Sequence, residues 1–241
     1  LFMTQAWLPL NPDAIPNMRW DTALHTMVSF LTNTNQQHYS GQAQLSYLSQ
    51  MVGIVGLQVI TPMMGLALVV ATLRALMGGR QAMQPGSDAV QAAGSEPDVG
   101  NYWADLVRPT LRFMLPLCLL WSVLLTSQGV PATLQAGPVA TPVDASVEMK
   151  QQKIPLGPVA PMIAVKQLGT NGGGWYGPNS AVPLENPTPL SNLLETLALV
   201  LVPVAVAFMV GPFTGRRKFT ALVFGSMLLM SVLSTGAGIL L

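Results

Sequence analysis

The run Gly169-Thr170-Asn171-Gly172-Gly173-Gly174-Trp175-Tyr176 is poor in side chains and lies between segments apolar enough for lipid. The chemistry it offers is that of main-chain oxygen. A pore that strips the water shell from a monovalent cation needs inward-facing carbonyls, and small residues let the backbone turn them inward without steric cost. A second polar run, Thr32-Asn33-Thr34-Asn35, stands one membrane excursion earlier. Alone, that run reads as a hydrophilic surface turn. Paired with the glycine run it reads as the same device presented twice, because irregular backbone survives at membrane depth only where it is buried or lines water. Its Asn and Thr side chains can brace neighbouring backbone through hydrogen bonds.

Other chemistries are poorly supported. Gly172 to Gly177 satisfies G-x-G-x-x-G, but the dinucleotide fingerprint needs a strand before it and a helix opening after it, and Pro178, Pro183, Pro187 and Pro189 crowd the following stretch. No G-x-x-x-x-G-K-[ST] loop is present, so no ATP site is expected in this chain. His25 and His38 lack Cys or carboxylate partners at ligand spacing and read as structural or mouth residues. Cys118, the single cysteine, sits in an apolar span and reads as packing, as do the fourteen methionines. Glu185 reads equally as a cation-attracting group at the external entrance or as a turn cap. Lys166 would oppose conduction if it faced the pore, so it is expected to pair away from the ion path, with a carboxylate as the candidate partner.

The elements that must position these runs belong to a bilayer. Half the residues are apolar and only 9% are charged, against roughly 25% in an ordinary soluble domain. Stretches 50–73, 109–126, 190–211 and 219–241 are long enough, at ~1.5 Å per residue, to cover most or all of a hydrocarbon core of about 30 Å. Arg112 near the start of the second and Glu195 near that of the third read as edge residues. The net charge of +1 and the lack of a basic stripe argue against nucleic acid as a partner. Arg74, Arg80, Arg108 and Arg112 flank one connection and Arg216, Arg217 and Lys218 another, which places both loops in the cytoplasm and the two polar runs on the outer side.

Between the spans, Leu1 to Asn17 reads as an irregular external segment, with Asp21 able to cap a short helix over Thr22 to Leu31. That helix, roughly half the membrane thick, ends where the first polar run begins, so its negative dipole end would face a cation. A second short helix, opened by Pro158 or Pro161, leads into the glycine run. Residues 78–100 read as a flexible connection, and Gly129 to Lys153 as an external loop. Laying Thr32-Asn33-Thr34 on Thr170-Asn171-Gly172 gives an offset of 138, the signature of a repeat of span, pore helix, filter loop, span. The expected division is 1–76 for the first pore helix, filter and span, 77–108 for a cytoplasmic connection, 109–212 for a second repeat, and 213–241 for the opening of a third. The start at Leu1 and the end inside an apolar run suggest an internal fragment.

Gly169 to Trp175, continued as Asn179-Ser180-Ala181 and Glu185-Asn186-Pro187-Thr188-Pro189-Leu190-Ser191-Asn192, resembles the second filter region of the KdpA family, the potassium-translocating subunit of the bacterial Kdp ATPase. Trp20-Asp21, Val28-Ser29-Phe30, Thr32 to Asn35 and Tyr39-Ser40-Gly41 resemble its first filter region. Tyr47 to Gln50 and Asn101, Trp103, Asp105 and Arg108 are similar to the family's span entries. The resemblance implies an all-α integral membrane protein of the superfamily of K⁺ transporters, with four pseudo-repeats around one pore. It implies K⁺ as the transported ion at Thr32, Asn33, Thr34, Asn35 and Gln37 of one filter and Thr170, Asn171, Gly172, Gly173 and Gly174 of the other. It further implies a non-hydrolytic subunit of a P-type ATPase complex in the bacterial inner membrane, with KdpB hydrolysing ATP and KdpC and KdpF as partners. The chain departs from the family pattern at Gln36, at Trp175-Tyr176, at Val182 and in the length of the 78–100 connection. A passive K⁺ channel or ion-coupled carrier of the same fold is the alternative reading, and a membrane-bound nucleotide-dependent enzyme the third.

Overall fold

The computed structural model describes residues 1–81, 99–143 and 150–240, with side chains of 77–81 left aside, so most of the 78–100 connection lies outside the described residues. Among them, four helices are long and apolar enough to cross a membrane: α2 (Ser49–Leu76), α3 (Tyr102–Ser127), α5 (Pro189–Thr214) and α6 (Arg217–Leu240). Two short helices, α1 (Trp20–Leu31) and α4 (Val159–Leu168), precede the two polar runs. The chain is an all-α membrane protein. Its only described strands are β1 (Val139–Ala140) and β2 (Gln152–Lys153), an antiparallel ribbon inside the stretch expected to be a plain loop.

The chain divides into two units. Leu1–Met63 with Pro109–Leu199 holds α1, α4 and both polar runs; Met64–Arg108 with Val200–Leu241 holds α6. In the first, Phe30, Leu45, Tyr47, Ile54, Leu125, Met162, Ile163 and Trp175 form one buried cluster. α4 is buried at every position except Pro161, its apolar residues in the core and its two polar ones, Lys166 and Gln167, buried as well. α1 is different: Trp20, Leu24, Met27, Val28 and Leu31 leave an apolar face exposed. In the second unit, Arg74 pairs with Asp105.

Three local expectations are corrected. Leu1 to Asn17 is irregular but packed: its Phe2–Trp7 turn carries Gln5, fully buried, whose amide donates to the carbonyls of Pro16 and Gln44 at 2.7 Å and accepts from the Ser46 N–H at 3.0 Å. Asp21 does not cap α1. The cap position is Arg19, and Asp21, one residue inside the first turn, accepts the Thr22 N–H at 2.9 Å, still beside the positive end of the helix dipole. The helix of the second span begins at Tyr102 rather than Pro109.

Candidate functional site

Both polar runs leave their short helices in the same way. Thr32, Asn33 and Thr34 donate to the carbonyls of Val28, Phe30 and Ser29; Gly169, Thr170 and Asn171 donate to those of Val165, Gln167 and Lys166. Every equivalent pair is separated by 137 residues (169 − 32 = 137). The two helix ends correspond at an offset of 137 and not the 138 read from matching letters, because helix termination and not the Thr-Asn letters sets the equivalence. Thr170 therefore corresponds to Asn33, and Gly172 to Asn35.

The same register governs the backbone beyond. φ is positive at Asn33 (59°) and Asn35 (53°), and again at Thr170 (55°) and Gly172 (87°), with the residue between each pair on the ordinary side. A backbone alternating between the two hands turns successive peptide units the same way, gathering N–H groups on one side and carbonyls on the other. Glycine does this freely; Asn pays a little and the β-branched Thr170 more, of order 1–2 kcal/mol. Strain of this kind persists where the surroundings over-determine it.

The two runs lie side by side. Gln37 makes a reciprocal pair with Gly174, donating to its carbonyl at 3.0 Å and accepting its N–H at 2.9 Å. A Cβ on Gly173 would stand 3.1 Å from the Cβ of Asn35, and the Gly41 N–H reaches the Tyr176 carbonyl at 3.3 Å. Asn35, Asn171, Gly173 and Gly174 are buried, Asn33, Gln37 and Gly172 half-buried, and Thr32, Thr34 and Thr170 exposed. Those three threonines are not brought into hydrogen-bond contact with the opposite run; the Thr32 and Thr34 hydroxyls bond each other at 2.8 Å. Among the described residues, no donor reaches the carbonyls of Thr32, Asn33, Thr34, Asn35, Thr170 or Asn171.

Behind the glycine run stands a polar network. Lys166 pairs with Glu185 at 2.8 Å, a carboxylate partner as expected, and also donates to the Ser180 hydroxyl. Of the two readings of Glu185 the cap is the one its contacts fit: it is fully buried, with its second oxygen accepting the Tyr176 N–H at 2.9 Å. Glu195, in the second turn of α5, likewise faces inward and accepts from Gln167. Burial, with the Glu185 carboxylate nearby, holds the Tyr176 hydroxyl well above the usual phenol range, so it stays a donor to the Pro155 carbonyl at 2.8 Å. Trp175 packs edge-on against Tyr47, ring centroids 5.4 Å apart.

Sequence reasoning missed Gln50 and Gln58, which reach the glycine run from α2, and Thr61, whose hydroxyl donates to Asn33 Oδ1 at 3.0 Å. The signal available was polar side chains within an apolar span. It also missed that the His25 and His38 rings touch, centroids 4.5 Å apart and planes tilted by 56°. No cluster of three metal-ligating side chains occurs among the described residues. Gly172 to Gly177 follows a helix end and leads into a 3₁₀ turn at Pro178–Ser180, so the nucleotide fingerprint lacks its strand and helix.

A family model described as "Potassium-transporting ATPase A subunit", KdpA, matches residues 1–240. The chain belongs to the KdpA family. Among its relatives, the potassium-binding subunit of the potassium-transporting ATPase of Pseudomonas aeruginosa is 42% identical over 98% of this chain, and those of Pseudomonas fluorescens and Edwardsiella ictaluri are 44% and 43% identical over 97% and 98%. The chain spans 38% of the length of each of these KdpA relatives. Membership and the four apolar helices together make it a multi-pass membrane protein.

Proposed function

We propose that this chain supplies two of the filter elements of a K⁺-selective pore, taking K⁺ from the external side of the bacterial inner membrane and passing it inward, with ATP hydrolysed by a separate KdpB-type subunit and KdpC- and KdpF-type subunits completing the complex. The observation that carries this reading is the pair of runs with matching alternation of φ, packed side by side, whose carbonyls at Thr32 to Asn35, Thr170 and Asn171 have no donor among the described residues. Desolvating K⁺ requires oxygen atoms already turned toward it, and an alternating backbone supplies them without reorganisation. Gly172, Gly173 and Gly174 shape the second run, and Gln37 ties the two runs together.

Gly172→Ala tests this in the full-length protein. Its φ of 87° and the 3.1 Å approach of a Cβ to Asn179 Oδ1 make the substitution strained. K⁺ affinity falls, or Rb⁺ is admitted, by about tenfold for a 1–2 kcal/mol strain. Unchanged affinity and selectivity count against the pore. Selective transport in vesicles with no ATP-hydrolysing partner present supports a channel or carrier instead.

A further inference from the structure

The glycine run holds a second set of carbonyls, and these are all occupied. That of Gly172 accepts the Asn179 N–H at 2.8 Å, that of Gly173 the Gln58 side-chain amide at 2.7 Å, that of Gly174 the Gln37 amide at 3.0 Å, and that of Trp175 the Gln50 amide at 3.3 Å. Three successive carbonyls are thus held by three glutamines that lie more than a hundred residues earlier in the chain.

Gln50 and Gln58 stand out because both are fully buried at the head of an apolar span. Burying a primary amide there costs several kcal/mol unless its hydrogen-bonding groups are used. Each uses its N–H₂ on a carbonyl of the glycine run, while its Oε1 has no partner among the described residues, so the run is the one thing these amides are placed to hold. Gln50 lies in the π-helical turn Ser49–Ile54, a local widening that often marks functional positions in helices. Gln58 engages the run twice: its side chain holds the Gly173 carbonyl, and its own carbonyl accepts the Asn171 side-chain amide at 3.1 Å. It therefore brackets Gly172 from both sides. The close approach at Gly169, where a Cβ would stand 2.9 Å from the Gln58 carbonyl, lets the end of α4 reach this position.

A peptide unit whose carbonyl is pinned on one side limits the rotation of the next. With the carbonyls of Gly172 to Trp175 held back, those of Thr170 and Asn171 have less freedom to close on a smaller ion or open for a larger one. Resting on the pore reading above, we propose that Gln58 and Gln50 are positioning residues that set the selectivity of the second filter. They do so from the first repeat and without touching the ion.

The test uses the full-length protein with its partners in native membranes. Gln58→Met keeps side-chain length and removes the N–H; KM for K⁺ rises about tenfold, as expected for loss of one buried hydrogen bond, and Rb⁺ discrimination shrinks, while the maximal rate stays within about twofold. Gln50→Met, with the longer bond, moves both less. Met162→Ala, in the core of α4, lowers protein abundance and maximal rate without changing KM or ion preference, which separates positioning from general destabilisation. Wild-type KM and Rb⁺ discrimination in Gln58→Met, alongside a disturbed Gly172→Ala, overturn this proposal and leave the pore reading standing. If Gly172→Ala is also silent, the pore reading itself has failed. Should Gln58→Met not accumulate, Gln50→Met decides: unchanged KM and selectivity there overturn the proposal.

Discussion

Lys166 and Glu185 form an ion pair, Nζ to Oε2 2.8 Å, in which neither side chain is reached by solvent. Both charges are fully employed. The ammonium also donates to Ser180, and the carboxylate's other oxygen receives the Tyr176 N–H, so the pair joins the short helix α4 to the end of the glycine run.

Removing one partner strands the other. Lys166→Met leaves a buried carboxylate and Glu185→Gln a buried ammonium, each expected to cost about 3–5 kcal/mol. The double variant should recover much of that loss, since no unpaired charge remains. Thermal unfolding of the full-length protein in detergent measures it. Equal destabilisation in single and double variants would show that charge pairing is not what matters.

Two glycines three residues apart should behave in opposite ways. A Cβ on Gly174 would stand 2.1 Å from the Gly177 carbonyl and 2.7 Å from both Glu185 oxygens, whereas one on Gly177 meets nothing within 4 Å. Gly177 is also in extended backbone, with φ of −173°, which any residue adopts. Gly174→Ala is therefore expected to abolish K⁺ uptake or accumulation of the protein, and Gly177→Ala to stay within about 0.5 kcal/mol of the parent. Uptake assays beside immunodetection of the protein read both. A tolerated Gly174→Ala would mean that the turn is looser than its contacts imply.

The spans and the two polar runs were legible because hydropathy over twenty residues and a side-chain-poor stretch are local signals. The register was not. Thr-Asn recurs at 32 and 170, yet the hydrogen bonds ending α1 and α4 pair Asn33 with Thr170, and only backbone geometry carries that information. Glu185 stayed open between two readings for a related reason: an acid beside a filter attracts cations only if exposed, and its burial goes with Lys166, nineteen residues earlier. Gln50 and Gln58 looked like ordinary span residues because their partners lie 125 and 115 residues away. Short-range patterns reveal which segments are special; they do not reveal which distant side chains hold them.

Tyr47 provides a pH-dependent measurement. Its hydroxyl lies 2.9 Å from the carbonyls of both Gln135 and Leu156 and 3.3 Å from Asp13, and burial together with that carboxylate pushes it up to about 12. An acid whose folded pKa is raised keeps its proton longer in the native state, so the native state binds more protons between the ordinary value and the raised one. Its contribution is complete below about pH 10 and is lost as pH rises toward 12. Tyr39, pushed up to about 12 mainly by burial, falls in the same window. Tyr47→Phe should flatten the decline of stability with pH by up to one proton, read from unfolding midpoints across that range. An unaltered slope would show that the Tyr47 proton is not linked to folding.

The orientation proposed for the pore can be decided with two cysteines. α5 has 26 residues, about 39 Å at ~1.5 Å each, enough to carry the chain across the hydrocarbon core between Gly177 and the Arg216-Arg217-Lys218 cluster. Basic residues accumulate on the cytoplasmic side, so the proposed orientation has Gly177 outside. The native Cys118 is buried and should stay silent toward thiol reagents. Gly177→Cys, where side-chain space is open, is expected to react with a membrane-impermeant maleimide on intact spheroplasts, and Lys218→Cys, at an exposed position, only after permeabilisation. Labelling of both from the same side would break the crossing assigned to α5. Labelling of Gly177→Cys only from within would turn the glycine run toward the cytoplasm, where a filter that draws K⁺ from outside has no use.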